Sequence, residues 1–409
     1  MSELHHLLTF PERPITAEGY LVPLKHYLSN GIPATYTLEQ VHEYEKAEKG
    51  ETVESGEEES SNTTPLHILA RSIPGALPAE EVAVVLEMIN VLFEYGAGWN
   101  FIDYENKTVG DLFVENGYGV ESTLYQRIVD AGVSAELLLR KINDNVEFLD
   151  DEGPEGNSDP GLPASDKDAT AGNQEVYLQT ELEYTDTALV TKENKDGVMM
   201  DWESGIMKLA AQTVTSSLDD NRGTDCVNIL NIGFGMGIID SYIQEIMSTQ
   251  HPEVKFKHYI CEAHPDVLAK MAADGWYQNP SVVVLEGRWQ EQLARLLDEG
   301  TTFLDGIYYD TFSEYYKDIL ELYDVLCGLI KPQGVFSFFN GLGADRQLCY
   351  EVYRKIVSMD VANYGMQCEY TTVNIGGSTE ITTNEPDWQD VKRSYYNCSY
   401  YHHPRISFV

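Results

Sequence analysis

Residues 227–240 read Val-Asn-Ile-Leu-Asn-Ile-Gly-Phe-Gly-Met-Gly-Ile-Ile-Asp. The first six are short, largely apolar and β-branched at half their positions, the composition of a strand buried on both faces of a parallel sheet. The run breaks into Gly233, Gly235 and Gly237. Apolar residues then recur at Ile238, Ile239, Tyr242, Ile243 and Ile246, a spacing compatible with a helix. Strand, glycine turn and helix open a nucleotide-binding βαβ unit. The glycines let backbone approach a ligand closely, and the helix N-terminus is left free to face it.

The glycine spacing narrows the ligand. A dinucleotide fingerprint places a third glycine three residues after the second, and Ile238 stands there instead. That residue disfavours a nicotinamide-dependent dehydrogenase. Gly-x-Gly-x-Gly is the commoner pattern for S-adenosylmethionine, which has no pyrophosphate to cradle. Strand-like stretches follow at βαβ intervals: 258–261 ending in Glu262, 281–285 ending in Glu286-Gly287-Arg288-Trp289, and 303–309 ending in Asp310. A turn, Lys331-Pro332-Gln333-Gly334, precedes another at 335–339, and 369–375 and 395–402 are β-prone. This order predicts an α/β fold, a seven-stranded doubly wound sheet with a terminal antiparallel hairpin. Upstream, 175–195 reads as a β-hairpin or lid. Residues 197–203, Gly-Val-Met-Met-Asp-Trp-Glu, lead into a helix through Ile206, Leu209, Ala210 and Val214.

At 409 residues two domains are expected. The net charge of -40 argues against nucleic acid or an anionic membrane as direct partner. It suits a cationic partner, or simply a very soluble protein. The six cysteines, Cys226, Cys261, Cys327, Cys349, Cys368 and Cys398, form no Cys-x-x-Cys pair and read as reduced core thiols of an intracellular protein. No metal site is expected. The N-terminus lacks a basic start and a long apolar run, so cytoplasm and nucleus are the expected compartments.

The N-terminal third has its own pattern. Residues 36–49 carry Leu38, Val41 and Tyr44 at helical spacing, and 51–61 are acidic and polar, a solvated loop. Thr64-Pro65-Leu66-His67-Ile68-Leu69-Ala70 resembles the ankyrin signature, with His67 read as a turn-bracing core histidine. An amphipathic helix over 82–95 leads to Gly96-Ala97-Gly98-Trp99-Asn100, which resembles the ankyrin hairpin start. Further echoes lie at 106–112, where the histidine is lost, and at Val129-Asp130-Ala131-Gly132-Val133. The expected organisation is thus a helical, ankyrin-like repeat domain over 1–150 that binds a protein partner or only caps its neighbour. An acidic flexible linker over 151–174 and a catalytic domain over 175–409 follow.

In open α/β sheets ligands sit beyond the carboxyl ends of the strands, where this chain puts usable groups. A carboxylate at Glu262 can accept hydrogen bonds from ribose hydroxyls, Trp289 can wall a purine, and Asp310 faces a transferable group. Glu203 is a second candidate acid. Six stretches, 197–203, 232–237, 260–262, 287–289, 309–311 and 329–335, occur in order. Together they resemble the guanidinoacetate methyltransferases and the related fungal type IV protein arginine methyltransferases. The N-terminal module and acidic linker favour the second group.

That resemblance implies a class I methyltransferase domain that uses S-adenosylmethionine to monomethylate the δ-nitrogen of arginine in a basic, large-subunit ribosomal protein. It implies cofactor contacts at Met199, Met207, Gly233, Phe234, Gly235, Met236, Gly237, Ile238, Ile239, Asp240, Ser241, Glu262, Ala263, His264, Arg288, Trp289, Gln290 and Asp310, with Tyr177 or Tyr184 covering the cofactor. Glu203 and Asp310 are implied to clamp the guanidine. Gly205 stands where the small-molecule enzymes have proline.

Two carboxylates suit this chemistry. A guanidinium, with a pKa of about 12.5 or above, has no free lone pair. Paired hydrogen bonds orient one nitrogen, and one acid takes the proton. The alternatives are a small-molecule guanidine methyltransferase with the same site and an ankyrin-based scaffold with an inert methyltransferase domain.

Overall fold

A computed structural model describes residues 3–48, 61–145, 173–218, 226–312, 315–377, 382–388, 391–392 and 394–409. The acidic loop expected over 51–61 and the linker over 151–174 fall almost wholly outside these residues. The chain divides into two compact units, residues 1–150 with 346–353 and residues 151–345 with 354–409.

The first unit is helical: α1 (Glu3–Leu7), α2 (Val22–Ser29), α3 (Leu38–Glu48), α4 (Pro65–Ser72), α5 (Ala79–Glu94), α6 (Val109–Glu115) and α7 (Thr123–Asn145). Helices α4 and α6 start alike because each follows a threonine cap. At α4, the Thr64 hydroxyl lies 2.8 Å from His67 Nδ1, and proline fills the first position, where no backbone donor is needed. At α6, Asp111 takes the place of that histidine and accepts from the Thr108 N–H at 2.7 Å. His67 is fully buried, and its Nε2 lies 3.1 Å from the Phe101 carbonyl, bracing the stretch ahead of α6. The echo at 129–133 is not a hairpin start but lies inside α7. Gly132 sits where a β-carbon would come within 3.0 Å of the Trp99 indole, so glycine there serves a close approach rather than a turn.

The second unit opens with α8 (Gln174–Gln179) and a three-stranded antiparallel sheet in the order β1 (Leu182–Tyr184), β2 (Ala188–Thr191), β3 (Gly197–Met200). The stretch expected to be a hairpin or lid is therefore a helix followed by a three-stranded meander. After α9 (Ser204–Thr215) comes the main sheet: β4 (Val227–Ile232), β5 (Phe256–Glu262), β6 (Val282–Glu286), β7 (Leu304–Tyr309), β8 (Ile330–Phe338), β9 (Met366–Ile375), β10 (Thr382–Thr383) and β11 (Tyr400–Phe408). The interleaved helices are α10 (Ile238–Gln250), α11 (Pro265–Ala273), α12 (Trp289–Glu299), α13 (Tyr316–Leu329) and α14 (Gln347–Ala362).

The strand order is β10-β9-β11-β8-β7-β4-β5-β6. The sheet has eight strands, not the seven expected, because the two-residue β10 adds a parallel edge to β9. Strands β4 to β8 run parallel to one another, while β11 pairs antiparallel with both β8 and β9, so the sheet is mixed. The last strand starts at Tyr400, five residues beyond the expected 395, and β9 and β11 are joined by a long connection rather than a tight hairpin. Residues 331–334 interrupt the β7–β8 ladder, which resumes at Gly306 and Val335, so the expected turn lies inside the bounds of β8.

Both faces of the sheet are covered. On one, α9, α10 and α11 bury Met207, Ala210, Val214, Ile239, Ile243 and Met271 against β4 and β5. On the other, α12 and α13 bury Leu293, Leu296, Leu322, Tyr323 and Leu326 against β7 and β8. This two-sided cover is why the parallel strands are apolar throughout. The order reverses between β4 and β7, the point where such sheets open a crevice at their carboxyl ends.

Candidate active site

The rim at that reversal is held by backbone bonds that continue each ladder past its strand. Gly233 N–H donates to the Cys261 carbonyl at 2.9 Å, Gly287 N–H to the Glu262 carbonyl at 2.8 Å, and Asp310 N–H to the Ile232 carbonyl at 2.9 Å. Phe339 N–H donates to the Tyr309 carbonyl at 2.9 Å. Gly233, Glu262, Gly287, Asp310 and Phe339 thus stand in one row.

The glycine turn has physical cause. Gly233 has φ +92°, and a β-carbon there would lie 1.8 Å from the Asp310 carbonyl oxygen. Gly237, at φ +70°, caps α10, and a β-carbon there would lie 2.4 Å from the Phe234 ring. No side chain caps the first turn of α10, so its leading amides have no side-chain acceptor there.

A cleft beside this turn is lined by Tyr177, Met199, Gly233, Gly235, Glu262, Ala263, Arg288, Trp289 and Asp310, together with Gln174, Val198, Gly287 and Phe312. Glu262 receives backbone N–H bonds from Phe234 at 2.9 Å, Ala263 at 2.8 Å and His264 at 2.7 Å. Burial raises its pKa, and those three bonds oppose the rise. Trp289 is buried at the start of α12, its ring 6.2 Å from that of Tyr309. The Arg288 Nε is buried with no protein partner.

Of the two candidate tyrosines, Tyr177 lines the cleft, with its ring 4.8 Å from both His264 and Phe312. Tyr184 instead donates to the Gly235 carbonyl at 3.0 Å and buttresses the turn from outside.

Other residues named from the sequence do not line the cleft. His264 Nε2 lies 3.1 Å from the Tyr177 carbonyl and 3.0 Å from that of Thr180, fastening α8 to the end of β5. Phe234 is buried against Trp276, rings 5.2 Å apart. Met236 N–H donates to Met199 Sδ at 3.3 Å. Ile238 opens α10, and Ile239 lies in the core. Ser241 bonds back to the Gly237 carbonyl at 2.7 Å and lines a separate cavity with Trp276. Gln290 is the second residue of α12. Met207 lies beneath β7, its sulfur 3.5 Å from the Tyr308 hydroxyl.

Asp240 is fully buried in the core. It accepts from Asn231 Nδ2 at 3.0 and 2.9 Å and lies 3.1 Å from His258 Nε2.

A second cavity of about 270 Å³ adjoins the first, and Asp310 lines both. Its walls are Glu203, Tyr309, Phe312, Tyr315, Ile319, Phe339, Leu342 and Tyr395. Glu203 ends a short 3-10 turn between β3 and α9, accepting from the Met200 N–H at 3.3 Å and from the Tyr395 hydroxyl. Two acids 107 positions apart in sequence therefore share one cavity, and no lysine, arginine or histidine is among the described residues that line it. Burial, then the charge of Asp310, pushes the Glu203 carboxyl well above the ordinary range. Burial also raises Asp310 to about 7, and its Oδ2 is buried with no partner.

Gly205 also has its reason: β10 lies against α9, and a β-carbon at 205 would meet the Thr382 carbonyl at 2.7 Å. Among the described residues, no cluster of histidine, cysteine or carboxylates suits a metal ion, and no helix is long and apolar enough to cross a membrane. Sequence reasoning missed the aromatic walls Phe312, Tyr315, Phe339 and Tyr395, which lie in loops or past strand ends and carry no motif.

Comparison with known proteins shows the family. Residues 170–407 match the guanidinoacetate N-methyltransferase family model. Over the full length of both chains, the protein is 60% identical to protein arginine N-methyltransferase 2 of Saccharomyces cerevisiae and 60% identical to that of Candida glabrata. The corresponding protein of Debaryomyces hansenii is 45% identical, again over all of both chains.

Proposed function

Because the chain belongs to the protein arginine N-methyltransferase 2 family, we propose that the cleft beside the glycine turn takes S-adenosylmethionine. The adjoining cavity takes the guanidinium of an arginine in a basic protein. The product is δ-N-monomethylarginine, the type IV reaction, on a protein of the large ribosomal subunit. The helices from α4 to α7 are read as an ankyrin-like module for a protein partner.

The cleft suits the cofactor by its chemistry. Gly233 and Gly235 line the cleft without side chains, so backbone can approach a ligand closely. Glu262 accepts hydroxyl donors, the unpartnered Arg288 Nε is a donor, and Trp289 and Tyr177 are flat apolar walls. S-adenosylmethionine, when bound, supplies an electrophilic methyl group beside a positive sulfonium. Residues Gly233, Gly235, Glu262, Arg288, Trp289 and Tyr177 would hold it.

The observation that carries the acceptor assignment is the pair Glu203 and Asp310 around one cavity without a described cation. Burial raises both acids, and the charge of Asp310 adds to the rise at Glu203, until a cation enters. A guanidinium satisfies both by fork geometry and relieves that repulsion. Asp310, with a pKa near 7 and a free Oδ2, takes the proton that the alkylated nitrogen sheds. The aromatic walls pack the aliphatic stem and exclude water, which strengthens both carboxylate bonds. The same lining disfavours guanidinoacetate, whose own carboxylate would meet two acids and no described base.

The test is a substrate panel with isotopically labelled S-adenosylmethionine. A ribosomal extract and guanidinoacetate are offered separately, and digests are read by fragmentation mass spectrometry. Label on an arginine δ-nitrogen of a large-subunit protein is expected. Label on guanidinoacetate alone, or on a terminal nitrogen, refutes the reading.

A further inference from the structure

We propose that Tyr395 is a positioning residue of the acceptor site: its hydroxyl fixes one oxygen of Glu203, so that the other oxygen meets the guanidinium and Asp310 is left as the proton acceptor. This rests on the guanidinium reading above. The contact joins residues 192 positions apart, and no sequence pattern links them.

Three observations converge. First, both hydrogen bonds to Glu203 among the described residues, from Tyr395 Oη and Met200 N, fall on Oε1. Asp310 Oδ2, by contrast, has no partner. The two acids of the cavity are therefore unequal: one is anchored and one is free. Second, the Tyr395 ring is locked. It meets Trp388 nearly edge-on at 4.9 Å and lies 6.3 Å from Trp202 and 6.5 Å from Phe339. Gly197 makes the seat, because a β-carbon there would lie 3.2 Å from the ring. Third, Tyr395 lines the acceptor cavity and is absent from the lining of the donor cleft.

The chemistry follows from these positions. Burial and the neighbouring Glu203 charge hold the Tyr395 hydroxyl well above its ordinary pKa, so it is a donor throughout the working range. A donor on Oε1 favours the charged form of Glu203 and opposes the burial that raises its pKa. The groups facing Glu203 are Asp310 past the end of β7, Tyr308 within β7, the Met200 amide and Tyr395. Once the guanidinium enters, the donor on Oε1 makes Glu203 the better stabilised anion of the two, and the proton goes to Asp310, the acid without a donor.

The experiment uses the full chain with Tyr395→Phe, which keeps the ring and removes only the hydroxyl. A lost bond to a charged group lowers kcat/KM for an arginine peptide by about 10- to 100-fold. S-adenosylmethionine affinity, by calorimetry, stays within about twofold, since the residue is outside the donor cleft. The acidic limb of the pH profile moves to higher pH, because the anion has lost a donor. Equal losses in peptide turnover and cofactor affinity with an unmoved limb would mean a merely structural tyrosine and overturn the proposal.

A second readout is independent of substrate: carboxyl 13C titration of Glu203, assigned with Glu203→Gln. An upward shift in Tyr395→Phe supports the positioning role even if the wild type methylates no arginine, in which case only the substrate reading falls. An unchanged titration overturns the role whatever the substrate.

Discussion

At the scale of single residues, the glycine turn and the strand-end acid constrain each other. Gly233 lies so close to the Asp310 carbonyl that no β-carbon fits between them. Gly233→Ala is expected to abolish detectable cofactor binding and to lower stability by roughly 1–3 kcal/mol, from its positive φ as well as from the clash. Gly235→Ala has a milder outcome, because the obstructing group is the flexible Met199 thioether. Similar losses in the two variants, by calorimetry and thermal melting, would contradict this account. Asp310→Asn keeps the shape and removes the proposed base. Its turnover should drop by about 10²- to 10⁴-fold with cofactor affinity retained, and near wild-type methyl transfer would exclude Asp310 as the proton acceptor.

At the scale of elements, the turn is held from beneath. Asn231 in β4 bonds both to Asp240 in α10 and, at 2.9 Å, to the Gly233 carbonyl. His258 in β5 meets Asp240 on one side and Gln244 Nε2 at 3.1 Å on the other. A strand, its neighbour and the following helix are thereby tied under the turn. The resemblance implied Asp240 as a cofactor contact, whereas its burial suits an internal brace. Asp240→Ala leaves the buried Asn231 amide without its carboxylate acceptor, so it should cost about 1–3 kcal/mol in denaturant unfolding. A cost below about 1 kcal/mol would show that the network holds nothing.

At the scale of the whole molecule, charge and pH matter. A chain of net charge -40 attracts basic proteins at long range, so under the proposed function kcat/KM for a basic protein should fall steeply between low and physiological salt. A flat salt response would remove that role for the acidic surface. Asp310 has a folded pKa near 7, above its ordinary value. Its protonated form is favoured by folding, so its contribution is fully present below about pH 4 and is lost as pH rises through about 7. Asp310→Asn should flatten the fall in stability over that window, seen by melting both proteins from pH 4.5 to 8. Parallel curves would refute it.

What the sequence determined by itself is local and repetitive. The strand-glycine-helix run, the strand-end acids Glu262 and Asp310, and the threonine-led helix starts are all short-range patterns, set by backbone sterics and by burial on two faces. The main sheet followed from their spacing, apart from the edge strand β10, too short to leave a pattern, and the later start of β11. Only tertiary structure decided the cavity that the two acids share. The meeting of Glu203 with Asp310, the aromatic walls and the Tyr395 contact depend on chain segments that strand order alone brings together. The choice of Tyr177 over Tyr184 had the same origin: both are plausible by type, and only packing against His264 and Phe312 seats one of them in the cleft.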